Sequence, residues 1–147
     1  LVGTTEKTGN NDGPIVEAIL ASTGNRKGEP YCASFCYYSY AQAGVAKISG
    51  IPRSAWSPDM VNHPTFTAAH GGQTPLPGDI GGIYFPSKGR IAHVFIIQSW
   101  GESSAVTIEG NTSPSAEFGS ASDRDGDGIW RKRRLKRQIY AVKNWIK

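Results

Sequence analysis

The period of the hydrophobic pattern changes near Asp79, and this constrains the fold more than any other feature of the chain. Before it lie two segments with helical spacing. "DGPIVEAILAST" places Ile15, Ile19 and Leu20 on one stripe, with Asp12 as a cap and Pro14 in the first turn, and Gly24 ends it. "CASFCYYSYAQAG" predicts a second helix beginning near Tyr31 and Cys32 and stopped by Gly44. Residues 45–78 form a long irregular segment punctuated by five prolines. After it come "DIGGIYF", "RIAHVFIIQSW", "AVTIEGN", "GIWRKRR" and "QIYAVKNWI", short strand-like runs between turn residues. "HVFIIQ" is apolar on both faces and reads as a central strand. Helices followed by a meander of strands predict an α+β domain, not alternating βα units. The 147 residues suffice for one such domain. Residues 1–12 read as a tail or linker and 13–147 as the domain. No apolar run approaches the length of a membrane-spanning helix.

The stretch "GEPYCASFCYYSY" (Gly28 to Tyr40) contains both cysteines, Cys32 and Cys36. Four residues apart on a helix, a disulfide between them would close a tiny loop and stabilise little. None of His63, His70 and His93 has a spacing that would complete a zinc site with them. Two readings remain: inert packing cysteines, or one nucleophile. A helix N-terminus favours a thiolate through its free N–H groups and dipole, and Cys32 occupies that position. Cys36, a turn further in between Phe35 and Tyr37, reads as a small buried hydrophobe.

A nucleophilic cysteine needs a base and a group to orient that base. His63 and His70 fall in the irregular loop "NHPTFTAAHGG" and read as surface residues. His93 opens the apolar run of the central strand, where a polar residue must be paired or face a cleft. In "VTIEGNT", alternation puts Val106 and Ile108 toward the core and Thr107 and Glu109 on the other face. Asn111 continues that direction if the strand persists past Gly110. Either Glu109 or Asn111 could then hold a neighbouring imidazole in the tautomer that accepts the thiol proton. Taken singly, each of these residues also reads as an ordinary core histidine, strand charge or turn residue.

The order and context of these pieces resemble a known family. "YCASF" at a helix start, "PGDIGGIYF", "AHVFII", "IEGNT" and the closing "GDGIWRKRR" are similar to the CHAP family, the cysteine, histidine-dependent amidohydrolases/peptidases. The resemblance runs over about residues 28 to 135. It implies a papain-like α+β fold, with N-terminal helices packed on an antiparallel sheet. It also implies cleavage of amide bonds in bacterial peptidoglycan, either as an N-acetylmuramoyl-L-alanine amidase or as an endopeptidase. By position, Cys32 would be the nucleophile, His93 the base, Glu109 its orienting group and Asn111 a further polar partner. Such an enzyme needs no cofactor and acts at the bacterial cell wall, whether secreted, periplasmic or phage-delivered. Tyr31 and Trp56 are candidates for contact with substrate. A papain-like protease or deamidase acting on protein, or a non-catalytic wall-binding module, are the competing readings.

Two further motifs carry charge. "DRDGDGIW" alternates Asp123, Asp125 and Asp127 like the start of a calcium loop, but the twelfth position from Asp123 is Arg134, where an EF-hand needs a glutamate. Weak calcium binding there is the alternative to a plain turn. "RKRRLKR" (Arg131 to Arg137) carries six positive charges; without them the net charge of +4 becomes −2. It reads either as a solvated edge hairpin or as an attractor for an anionic cell-wall polymer. No nucleic-acid-binding signature accompanies the charge. A monomer is expected.

Overall fold

The computed structural model describes residues 1–146. Helix α1 spans Pro14–Ser22 and α2 Cys32–Gln42, followed by the short helices α3 (Ala46–Ser49) and α4 (Ser57–Met60). Strands β1 (Phe66–Thr67), β2 (Gly71–Gly72), β3 (Ile80–Phe85), β4 (Arg90–Trp100) and β5 (Ser104–Thr112) come next. After them lie α5 (Ala121–Arg124), β6 (Gly128–Leu135), a 3-10 turn (Lys136–Gln138) and β7 (Ala141–Lys143). The seven strands form one sheet in the order β2-β1-β7-β3-β4-β5-β6, with antiparallel pairings. The protein is therefore α+β. None of its described helices is long and apolar enough to cross a membrane.

Both faces of the sheet are covered. Val16, Ile19 and Leu20 of α1 pack with Tyr31, Phe35 and Ile129, and α2 adds Cys36 and Tyr40 to a cluster with Ile80, Val94 and Ala141. A third cluster joins Ile83, Phe95, Ile97, Ile139 and Val142. Each large apolar side chain fully buried in this way contributes about 1.5–3 kcal/mol. The paired glycines of β3 have a packing reason: a Cβ on Gly81 would meet the Phe95 ring, with Cε2 2.5 Å away.

The β4–β5 ladder pairs Trp100 with Ala105 and ends at Ile96↔Ile108. Beyond that point α2 lies against both strands, and Phe35 occupies the space a side chain at position 110 would need. A Cβ on Gly110 would sit 2.8 Å from Phe35 Cβ, so glycine lets the helix approach β5 closely. This seats the first residue of α2 near His93, which in turn meets Glu109.

Several expectations change. Residues 1–12 are not a loose tail: Gly3 N–H donates to Ile129 O (2.8 Å), Ile129 N–H to Thr4 O (2.9 Å) and Glu6 N–H to Asp127 O (2.8 Å), so the segment runs along the start of β6. Asp12 does not cap α1. Its carboxylate accepts from Thr8 N–H and Oγ1, and Gly13 takes the cap position at φ 102°. On β5 the inside and outside are reversed from simple hydrophobic alternation. Thr107 and Glu109 are fully buried, whereas Val106 and Ile108 are only partly so, because a hydrogen-bonded ionic network fills the interior on that face. The last predicted strand shrinks to β7; of its earlier part, Gln138 ends the 3-10 turn and Ile139 and Tyr140 lie outside any regular element. Within residues 45–78, β1 and β2 pair as two-residue strands too short to show a period.

Candidate active site

Cys32 is the first residue of α2, which carries no side-chain cap, so its first-turn N–H groups keep no side-chain acceptor. Ser57, the first residue of α4, puts its hydroxyl 3.4 Å from Cys32 Sγ. His93, from β4, is fully buried. Its Nε2 lies 2.8 Å from Glu109 Oε1 on β5. Nδ1 makes no hydrogen bond of regular geometry and is the nitrogen left for the thiol. The fold thus brings Cys32, His93 and Glu109 together from three elements, α2, β4 and β5.

The charges are strongly coupled. Burial alone would push the Cys32 thiol up; His93, then Ser57 and the Val94 N–H, outweigh it and bring it down to about 7. Burial would lower His93, but Cys32 and Glu109 raise it to about 9. Between these values the favoured state is a thiolate beside an imidazolium. Burial would likewise raise Glu109, yet Arg134 and then His93 hold its carboxyl well below the usual range.

Arg134 is the residue that sequence reasoning missed. Its Nη2 donates to Glu109 Oε1 (2.6 Å) and its Nε to Oε2 (2.9 Å), a bidentate grip. Its Nη1 and Nη2 also reach Asp123 at 2.9 and 2.8 Å. Thr107 Oγ1 donates to Glu109 Oε2 (2.5 Å), and Lys132 Nζ reaches Asp123 Oδ1 at 2.8 Å. The basic run is therefore not uniformly a solvated surface, because two of its six cations are internal counter-ions. The available signal was strand period: Lys132 and Arg134 are two apart and share a face.

The remaining expectations divide. Asn111 does not orient His93: it sits at φ 59° where the β5–β6 register shifts, and its amide, though buried, bonds to nothing. The left-handed turn ends the alternation that would have carried its side chain toward the imidazole. Tyr31 is fully buried with its hydroxyl donating to Glu6 Oε2 (2.9 Å), so it offers no surface to a substrate. Trp56 is half exposed and lines the groove that contains Cys32. Asp123, Asp125 and Asp127 do not converge as a calcium site requires. Asp123 is held by Arg134 and Lys132, Asp125 accepts from Asn11, and Asp127 accepts from Trp130. Among the described residues, no group of three or more His, Cys, Asp or Glu side chains is placed to hold a metal ion. His63 and His70 are exposed, as their loop suggested.

The groove over Cys32 has a volume of about 220 Å³. That is below the roughly 300–1,000 Å³ of pockets that engulf a small molecule. In comparisons with known proteins, no family model, no curated protein and no solved structure matches the chain.

Proposed function

We propose that the protein is a cysteine amidohydrolase of the CHAP type, with a papain-like arrangement, that cleaves amide bonds of bacterial peptidoglycan at the cell wall. The observation that carries the chemistry is the relay from Cys32 at a helix start, through His93, to a Glu109 pinned by Arg134. The choice of peptidoglycan rests on the resemblance of "YCASF", "AHVFII" and "IEGNT" to that family.

The thiolate of Cys32 attacks the amide carbonyl, forming the C–S bond and a tetrahedral oxyanion. The first-turn N–H groups of α2, which have no side-chain cap, would supply the donors an oxyanion hole requires. The C–N bond breaks as the His93 imidazolium gives its proton to the leaving amine. Neutral His93 then takes a proton from water as the water oxygen bonds to the acyl carbon; the C–S bond breaks, the carboxylic acid leaves, and the thiolate–imidazolium pair is restored. Glu109 holds Nε2 throughout and keeps the ring oriented. No step requires a cofactor. The outward cations Arg131, Arg133 and Arg137 remain available to an anionic wall polymer.

Purified sacculi digested with the protein should release muropeptides, and mass spectrometry of the products identifies the bond. Intact sacculi after treatment with protein whose Cys32 alkylates normally would overturn the peptidoglycan reading. Cleavage of an unfolded protein substrate at a comparable rate would move it to a protein-directed cysteine protease.

A further inference from the structure

Four features of the Cys32 groove bear on what enters it: Trp56, Arg90, Arg124 and Glu29. Arg90, at the start of β4, stacks its guanidinium over Trp56 at 4.1 Å and donates Nη1 to Ile91 O (2.9 Å). Arg124, at the end of α5, donates Nε to Ala92 O (3.4 Å). Both are thus fixed on successive backbone carbonyls leading into His93. A guanidinium has five N–H donors, so each keeps four for a ligand. Among the described residues neither has a carboxylate partner within salt-bridge distance. Glu29 is the one acid lining the groove, and it is exposed and accepts from Arg26 N–H. The thiolate–imidazolium pair sums to zero, so the groove has a net positive lining beside an uncapped helix start.

We infer that this groove takes a substrate segment bearing a carboxylate close to the reacting carbonyl, and that Arg90 and Arg124 bind that carboxylate. A planar fork tethered beforehand, Arg90 by stacking and a hydrogen bond and Arg124 by a hydrogen bond alone, loses less freedom when it closes on a carboxylate. Two such forks next to the nucleophile favour acidic peptides over their amidated forms. The phrase "reacting carbonyl" rests on the hydrolase reading; the anion site itself does not.

Alkylation of Cys32 separates the two. Iodoacetate and iodoacetamide each form a C–S bond with loss of iodide, and they differ by one carboxylate. Their rates at Cys32, located by mass spectrometry and divided by those of N-acetylcysteine at the same pH, give a charge preference. We expect a preference for iodoacetate of about tenfold at low salt, falling as ionic strength rises. Arg90→Gln and Arg124→Gln should each remove about threefold of it and the double variant nearly all, with the iodoacetamide rate held within about twofold as the control for folding. Arg90→Lys should retain part of the preference, since charge remains while the fork is lost. A wild-type ratio equal to that of N-acetylcysteine, or one unchanged in the double variant, overturns the site. Preference without cleavage of either sacculi or an unfolded protein leaves the site standing and removes the hydrolase reading; cleavage without preference does the reverse.

Discussion

The first and second turns of α2 each carry one buried thiol, Cys32 at 4% exposure and Cys36 at 0%. The two environments drive the thiols in opposite directions. Burial pushes Cys36 well above the ordinary value, and the negative charges of Cys32 and Glu109 push it further. Burial raises the Cys32 thiol too, but there the imidazole, the Ser57 hydroxyl and a strand N–H all favour the anion. Burial therefore decides nothing about reactivity on its own. What separates the thiols is which turn meets the point where β4 and β5 stop pairing.

The largest effect tests that separation directly. Cys32→Ala should lower hydrolysis by at least about 10⁴-fold, because the nucleophile and its base act as one unit. Cys36→Ala should leave kcat nearly unchanged and cost at most about 1–2 kcal/mol of stability, since a small buried group is removed. Equal losses in the two variants would break the comparison. The same asymmetry has a pH signature. The Cys32 thiolate forms as pH rises through about 7, and iodoacetamide alkylation should follow that limb. Hydrolysis should fall again as pH passes about 9, where His93 loses the proton owed to the leaving amine.

A smaller effect comes from the far side of the imidazole. Arg134→Met should destabilise the protein by about 3–5 kcal/mol in a denaturant titration, because it leaves Glu109 and Asp123 buried without their shared cation. The sign with pH follows from Glu109. Its carboxyl is depressed, so its stabilisation is complete above the ordinary carboxylate value and is lost progressively as pH falls from there through the depressed folded value. Without Arg134 the depression is smaller, so less stability should be lost over that acid range and the loss should be complete at milder pH. A variant with wild-type stability and acid profile would show that the relay ends at Glu109.

These two tests also mark what was legible in the sequence. The α2 boundary at Cys32 could be read because helical spacing begins just after Pro30, and β4 because its apolar run fills both faces. Cys32 and His93 stood out as candidates from those two elements, strand alternation left Glu109 and Asn111 equally open, and the choice of Glu109 to orient His93 came from the family resemblance. Arg134 was hidden inside a run of like charges, where composition suggests solvent and only the register to β5 reveals an interior. Thr107 and Glu109 were assigned away from the core for the same reason: a buried ionic network inverts the rule that apolar residues face inward. Asn111 could not be placed, because one left-handed residue ends the period on which its assignment relied. Ser57 belongs to the proline-rich segment, whose path over α2 has no periodic signal at all.

Ser57 supplies the smallest effect. Its hydroxyl, 3.4 Å from Cys32 Sγ and buried, can donate to the thiolate but gains nothing comparable from the neutral thiol. A hydrogen bond to a charged group contributes about 1.5 kcal/mol at the low end that suits a 3.4 Å contact, roughly one pKa unit, so Ser57→Ala should raise the thiol from about 7 toward the ordinary cysteine range. At neutral pH the thiolate fraction, and with it the alkylation rate, should fall about five- to tenfold. Above the shifted value the rates of variant and wild type should converge, which a merely structural loss would not produce. A pH profile for Ser57→Ala that coincides with wild type would mean that His93 alone distinguishes the first turn of α2 from the second.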